Sequence, residues 1–172
     1  MSGRRAAPLL ILLDDGWSAA AAWDARLRTA DEMIARAEAD NRGVAVLPMS
    51  ETARDISMQV AGAARVQIKQ LKPKPHAVDR AEALPLIDRF LKTTPEVEIV
   101  WLSDGVDLGK NDGTMGANFV DGLKRIVAGN PITVVQGGIA TAHALAAADN
   151  AAGALTVKVL RAQTGAAENG LV

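Results

Sequence analysis

Five aliphatic residues in a row, Leu9 to Leu13, form the first regular pattern of the chain. A run this short, without polar alternation, suits a strand buried on both faces and is far too brief to span a membrane. Similar runs at Val44–Leu47, Val97–Ser103 and Ile132–Val135 predict a mostly parallel sheet with strands near 9–13, 44–47, 97–102 and 132–135. Between them the spacing becomes helical. Trp23, Leu27, Ala30, Ile34 and Ala37 share one face, and Ala61, Ala64, Ile68 and Leu71 another over roughly 61–71. Ala83, Leu84, Ile87 and Leu91 mark a third helix, bent by Pro85, and Phe119, Leu123, Ile126 and Val127 a fourth. Asn41-Arg42-Gly43 stops the first helix, with glycine in the usual place past a helix end. Ile56, Met58 and Val60 alternate like a strand just before the second helix begins, and Lys72-Pro73-Lys74-Pro75 is a stiff connector. Further on, Leu155, Val157 and Val159 alternate as a half-buried strand, with the alanine-rich piece near Leu145 as its partner. The order β-α-β-α-α-β-α-β-β predicts an α/β fold, a three-layer α/β/α sandwich.

Composition narrows the function more than the fold. With 172 residues, 49% of them hydrophobic, the chain can bury a real core. Nineteen basic and twenty acidic side chains leave a formal charge of -1, so no net field draws the protein to nucleic acid or an anionic membrane surface. The absence of cysteine removes disulfides, thiolate metal sites and cysteine nucleophiles together.

Candidate chemistry gathers where two of the buried strands end. The first runs into Asp14-Asp15-Gly16-Trp17-Ser18, and the third into Ser103-Asp104-Gly105. The carboxyl edge of an open parallel sheet is where loops converge and ligands bind. If both strands are central, Asp14 and Asp104 lie side by side there, while Asp15 points the other way. Two readings stand for Asp14, Ser18 and Asp104: a residual cation site, or caps and turn closures at strand-to-helix junctions. Gly16 and Gly105 read as tight-turn residues. Trp17 is either an exposed recognition residue or a lid over the sheet end, whereas Trp23 and Trp101 are assigned to the core. His76 and His143 lack the spacing of a zinc site. Ser18, Ser50, Ser57 and Ser103 lack the Gly-x-Ser-x-Gly context and a placed histidine. Gly109-Lys110-Asn111-Asp112-Gly113-Thr114 lacks phosphate-loop spacing.

A buried strand ending Asp14-x-Gly16-x-Ser18, with a later strand ending Leu102-Ser103-Asp104-Gly105, resembles a von Willebrand factor A domain. The wider pattern of Asp-Asp-Gly-Trp, Lys-Pro-Lys-Pro and Trp-Leu-Ser-Asp-Gly is similar to a subgroup found in bacterial membrane proteins of the aerotolerance-regulator type, behind a double transmembrane N-terminus. The resemblance covers roughly 8–136 and leaves 137–172 as a C-terminal extension, expected to open a following β-rich domain. It implies a Rossmann-like fold and a non-enzymatic module for protein–protein contact or scaffolding. The partner would be a protein or neighbouring domains of the same polypeptide, and the parent would be associated with the inner membrane. In that family Asp-x-Ser-x-Ser, a Thr-Asp-Gly-like turn and a threonine from an intermediate loop hold a divalent cation. Asp14, Ser18 and Asp104 match those positions as metal ligands. Gly16 replaces the first serine, and no threonine stands near Pro75-His76. The implied site is therefore degenerate: Mg²⁺ or Mn²⁺ held weakly, or no cofactor at all, with Asp15, Gly16, Trp17 and Gly105 along the ligand edge. The rival expectation is an α/β enzyme, a hydrolase or a nucleotide-dependent one, using the Asp14/Asp104 edge.

Overall fold

The computed structural model describes residues 6–104, 115–127, 129–137, 142–151 and 154–161. Strands β1 (Leu9–Leu13), β2 (Val44–Pro48), β3 (Glu98–Ser103) and β4 (Ile132–Gly137) alternate with helices α1 (Trp23–Ala39), α2 (Ala61–Gln70), α3 (Leu84–Thr93) and α4 (Met115–Ile126). Strands β5 (Ala142–Ala151) and β6 (Ala154–Arg161) follow. The sheet order is β2-β1-β3-β4-β5-β6, with the first four strands mutually parallel and the last two antiparallel. The expected three-layer α/β/α architecture is therefore present. The tail pairs as the alternation implied, with Leu145 opposite Val159. This hairpin continues the same sheet by bonding to β4.

The uniform apolar runs have a direct cause. Leu10 and Leu12 of β1, with Ala45, Leu47, Ile99 and Trp101, face α3 and α4. Leu9, Ile11 and Leu13, with Val44, Val46, Val100 and Leu102, face α1 and α2. Both faces of β1 are covered, so each of its five positions is apolar. Each such buried leucine or isoleucine contributes about 1.5–3 kcal/mol of transfer free energy.

Helix α2 begins at Ala61 as its spacing predicts, and the alternation ahead of it at Ile56–Val60 makes no strand. Only Gln59 pairs, antiparallel to Val44, while Met58 and Val60 are exposed. Local geometry departs from the sequence expectations at three other places. Pro85 does not bend α3 but stands in its first turn, where proline costs no hydrogen bond. Asn41, not glycine, takes the left-handed position that ends α1, at φ 53°. Asn41 N–H reaches Glu38 O and Arg42 N–H reaches Ala37 O, the double closure of a Schellman end. Finally, Trp23 is half-buried at the margin of the α1/α2 core, and the inward position one turn on is taken by Arg26.

Candidate functional site

The chain leaves β1 for β2 on one side and later returns to β3 on the other. The carboxyl ends of β1 and β3 therefore flank the crevice where strand order reverses, the usual ligand position in such sheets. Leu13 pairs with Leu102, and Asp14 N–H donates to Leu102 O at 3.1 Å, so the two acidic turns emerge level with each other. Asp104 N–H in turn donates to Asp14 Oδ2 at 3.0 Å.

A third residue joins them. Arg80 opens a 3₁₀ turn, Arg80–Ala83, whose start is capped by Asp79 accepting from Ala81 N–H. Leu84, immediately after that turn, lies so near α4 that a Cβ on Gly122 would come within 2.5 Å of it. The close packing of α4 on Leu84 thus anchors the turn that aims Arg80. The guanidinium donates through Nε to both Asp14 oxygens (3.1 and 3.2 Å) and through Nη2 to Asp14 Oδ2 (2.9 Å). The same Nη2 reaches Asp104 Oδ1 at 2.7 Å. Ser18 Oγ donates to Asp104 Oδ2 at 2.6 Å. Trp101 Nε1 donates to Asp14 Oδ1 at 3.1 Å, and its ring lies 5.5 Å from the guanidinium carbon, a cation–π distance. Phe119 of α4 packs edge-on against that indole at 5.0 Å between centroids. Trp101 is therefore in the core as expected, and it also carries a polar tip into the site.

Arg26 lies behind this network. It is buried, bonds through Nη2 to the Ala19 and Ala21 carbonyls, and its Nε has no partner among the described residues. Burial pulls its affinity for the proton down, and the charges of Asp104 and Asp14 oppose that pull. Burial likewise raises the Asp14 carboxyl above its ordinary 3.8, against the Arg80 guanidinium and Asp104 N–H, with the Asp104 charge adding to the rise. One guanidinium serving two buried carboxylates does not repay their whole desolvation.

The structure thus brings Asp14, Ser18 and Asp104 together. Asp15 joins neither Arg80 nor Asp104 but accepts from Ser50 N–H at 2.9 Å and Ser50 Oγ at 2.5 Å, and it lines the same cavity. Gly16 differs from the tight-turn reading. Its φ of -72° suits any residue, and a Cβ there would make only ordinary contacts with His76 O and Val78 N at 3.4 Å. Trp17 N–H donates to that same His76 carbonyl. The Trp17 ring is 63% exposed on the rim of a shallow cavity of about 210 Å³. Met49, Val78, Arg80 and the three aspartates Asp14, Asp15 and Asp104 are among the residues that line it. Of the remaining candidates, Ser57 is exposed, Ser103 is buried, and the exposed His76 ring lies near Ala77 O. His143 falls on β5, in register with Gln136 of β4 and through it with Ser103 of β3. Gly105 and the stretch Gly109–Thr114 lie outside the described residues.

A divalent cation held by Asp14, Ser18 and Asp104 needs lone pairs converging on one point. Here a single guanidinium nitrogen stands between the carboxylates and takes up the lone pairs that face each other. The donor set as arranged does not fit Mg²⁺ or Mn²⁺. Among the described residues there is no group of three or more His, Asp or Glu able to hold a metal.

Sequence reasoning missed Arg80 and Arg26. One signal was available: two carboxylates at the ends of buried strands require a cation for company. Charge alone does not say which of nineteen basic residues supplies it.

No family model matches the chain, and no curated protein matches it. Among solved structures it is similar to one described as von Willebrand factor type A from Catenulispora acidiphila, at 14% identity and a TM-score of 0.46. That likeness covers 77% of this chain but only 34% of the other, so the chain spans about a third of that protein.

Proposed function

We propose that the chain is a non-enzymatic protein-interaction module of a membrane-associated bacterial protein, and that it meets its partner through the carboxyl edge of the sheet. The partner is a protein or a neighbouring domain of the same polypeptide. The observation that carries this reading is Trp17, a large aromatic left 63% exposed beside a shallow cavity and over a closed ionic floor. Exposed indoles on a well-anchored rim are the residues that dominate protein interfaces when buried by a partner. The ionic floor supports the enzyme alternative less well. Asp14 accepts only from donors, and the carboxylate beside Ser18 also neutralises Arg80, which makes it a poor base.

The test is a photo-crosslinking amino acid at position 17 of the parent protein in its own host, with the same probe at exposed Val66 on α2 as control. A light-dependent adduct to one protein or domain from position 17, absent from position 66, is the expected result. Equal labelling from both positions, or none, contradicts the proposal. So does ester or phosphoester hydrolysis by the purified chain that is lost in Asp104→Asn, a result belonging to the hydrolase reading.

A further inference from the structure

We infer that Arg80 is the resident cation of this edge: its guanidinium holds Asp14 and Asp104 together at the place a divalent ion would take, so the site assembles without metal. Three features of the geometry carry this. First, one and the same nitrogen, Nη2, bridges the carboxylates at 2.9 and 2.7 Å. Second, the side chains of both aspartates and of Arg80 are almost fully withdrawn from solvent, at 3%, 6% and 12% exposure. Two buried carboxylates this close repel each other and need an internal counter-charge. Third, the arginine is held from several sides. Asp79 caps its turn, the Trp101 face covers its guanidinium, and Trp101 Nε1 binds the same carboxylate. A guanidinium suits the task because it stays charged at any physiological pH and offers a planar fork of donors. A metal ion would leave and return with its concentration, whereas Arg80 is covalently part of the fold. The edge is then permanently in one state.

The test reads cation binding alone, so it is independent of whether the edge contacts a protein. The purified chain, stripped with chelator, is titrated with Mn²⁺ and followed by electron paramagnetic resonance and by melting temperature. The wild type is expected to show no saturable Mn²⁺ site and no Mn²⁺-dependent rise in melting temperature. Arg80→Ala is expected to gain both, and to lose them when Asp104→Asn is added. If Arg80→Ala fails to fold without metal, Arg80→Met, which keeps the stem over Trp101, is read in the same way. Saturable Mn²⁺ binding by the wild type that depends on Asp14 and Asp104 overturns the inference. So does a folded Arg80 variant that remains indifferent to Mn²⁺.

Discussion

Among the described residues, two arginines each straddle two carboxylates, and their surroundings separate them. Arg65 of α2 pairs with Asp31 at 2.9 Å and Glu38 at 3.3 Å across the gap to α1, with its side chain 35% exposed. Arg80 pairs with Asp14 and Asp104 at similar distances but is 12% exposed. In water the first trio gains little Coulomb energy and loses side-chain freedom, so its net worth is small. In the crevice the second trio has no solvent to fall back on, and removing one member leaves the others charged and buried. The two acids respond in opposite directions. The Arg65 hydrogen bond holds the Asp31 carboxyl below its ordinary 3.8, whereas burial pushes Asp14 above it. Ion pairs of comparable length therefore carry unequal consequences, and burial decides which trio organises the molecule.

The largest difference between the trios is expected on removing each arginine. Arg80→Met leaves Asp14 and Asp104 facing each other and should cost about 3–5 kcal/mol in chemical denaturation. A loss no greater than that of a surface variant would place the crevice pair in the same class as Arg65. Next in size is Trp101→Phe, which keeps the ring in the core but removes the Nε1 donor from Asp14. A buried acceptor left one bond short should cost about 1–3 kcal/mol in the same measurement.

A pH series sharpens the comparison through its sign. Because the folded-state Asp14 carboxyl lies above its ordinary value, the folded protein binds that proton more tightly than the unfolded chain. Wild type should therefore gain on Asp14→Asn as pH falls from neutral towards 3.8. Asp31, held below its ordinary value, behaves in the opposite way. Any advantage of wild type over Asp31→Asn is complete above pH 3.8 and disappears below it. Parallel slopes for the two variants would remove the contrast. The smallest effect is expected for Arg65→Met, whose melting temperature should match wild type within the reproducibility of the measurement, the more so at high salt.

The sequence carried much of this fold because burial on both faces leaves a plain mark. Leu9–Leu13 is uniformly apolar since α1/α2 cover one side of β1 and α3/α4 the other. The site was half legible for the same reason. Asp14 and Asp104 directly follow buried strands, so topology alone brings them together once β1 and β3 are neighbours. Arg80 was not legible, because it arrives from a short 3₁₀ turn without hydrophobic periodicity. Its position depends on Asp79 capping and on the approach of Leu84 to Gly122, which are tertiary facts. Pro85 was misread on similar grounds: a proline in a helical pattern bends or begins a helix according to where the first turn lies. Arg26 took an inward position because its head satisfies the Ala19 and Ala21 carbonyls, a local demand that apolar spacing does not reveal.

The claim that Arg80 serves as the cation of this edge is tested most directly by a crystal structure grown with millimolar MnCl₂ and measured for anomalous scattering. The account predicts guanidinium density between Asp14 and Asp104, with no anomalous peak in the crevice. An anomalous peak bound by Asp14, Ser18 and Asp104, with Arg80 displaced towards solvent, would contradict it.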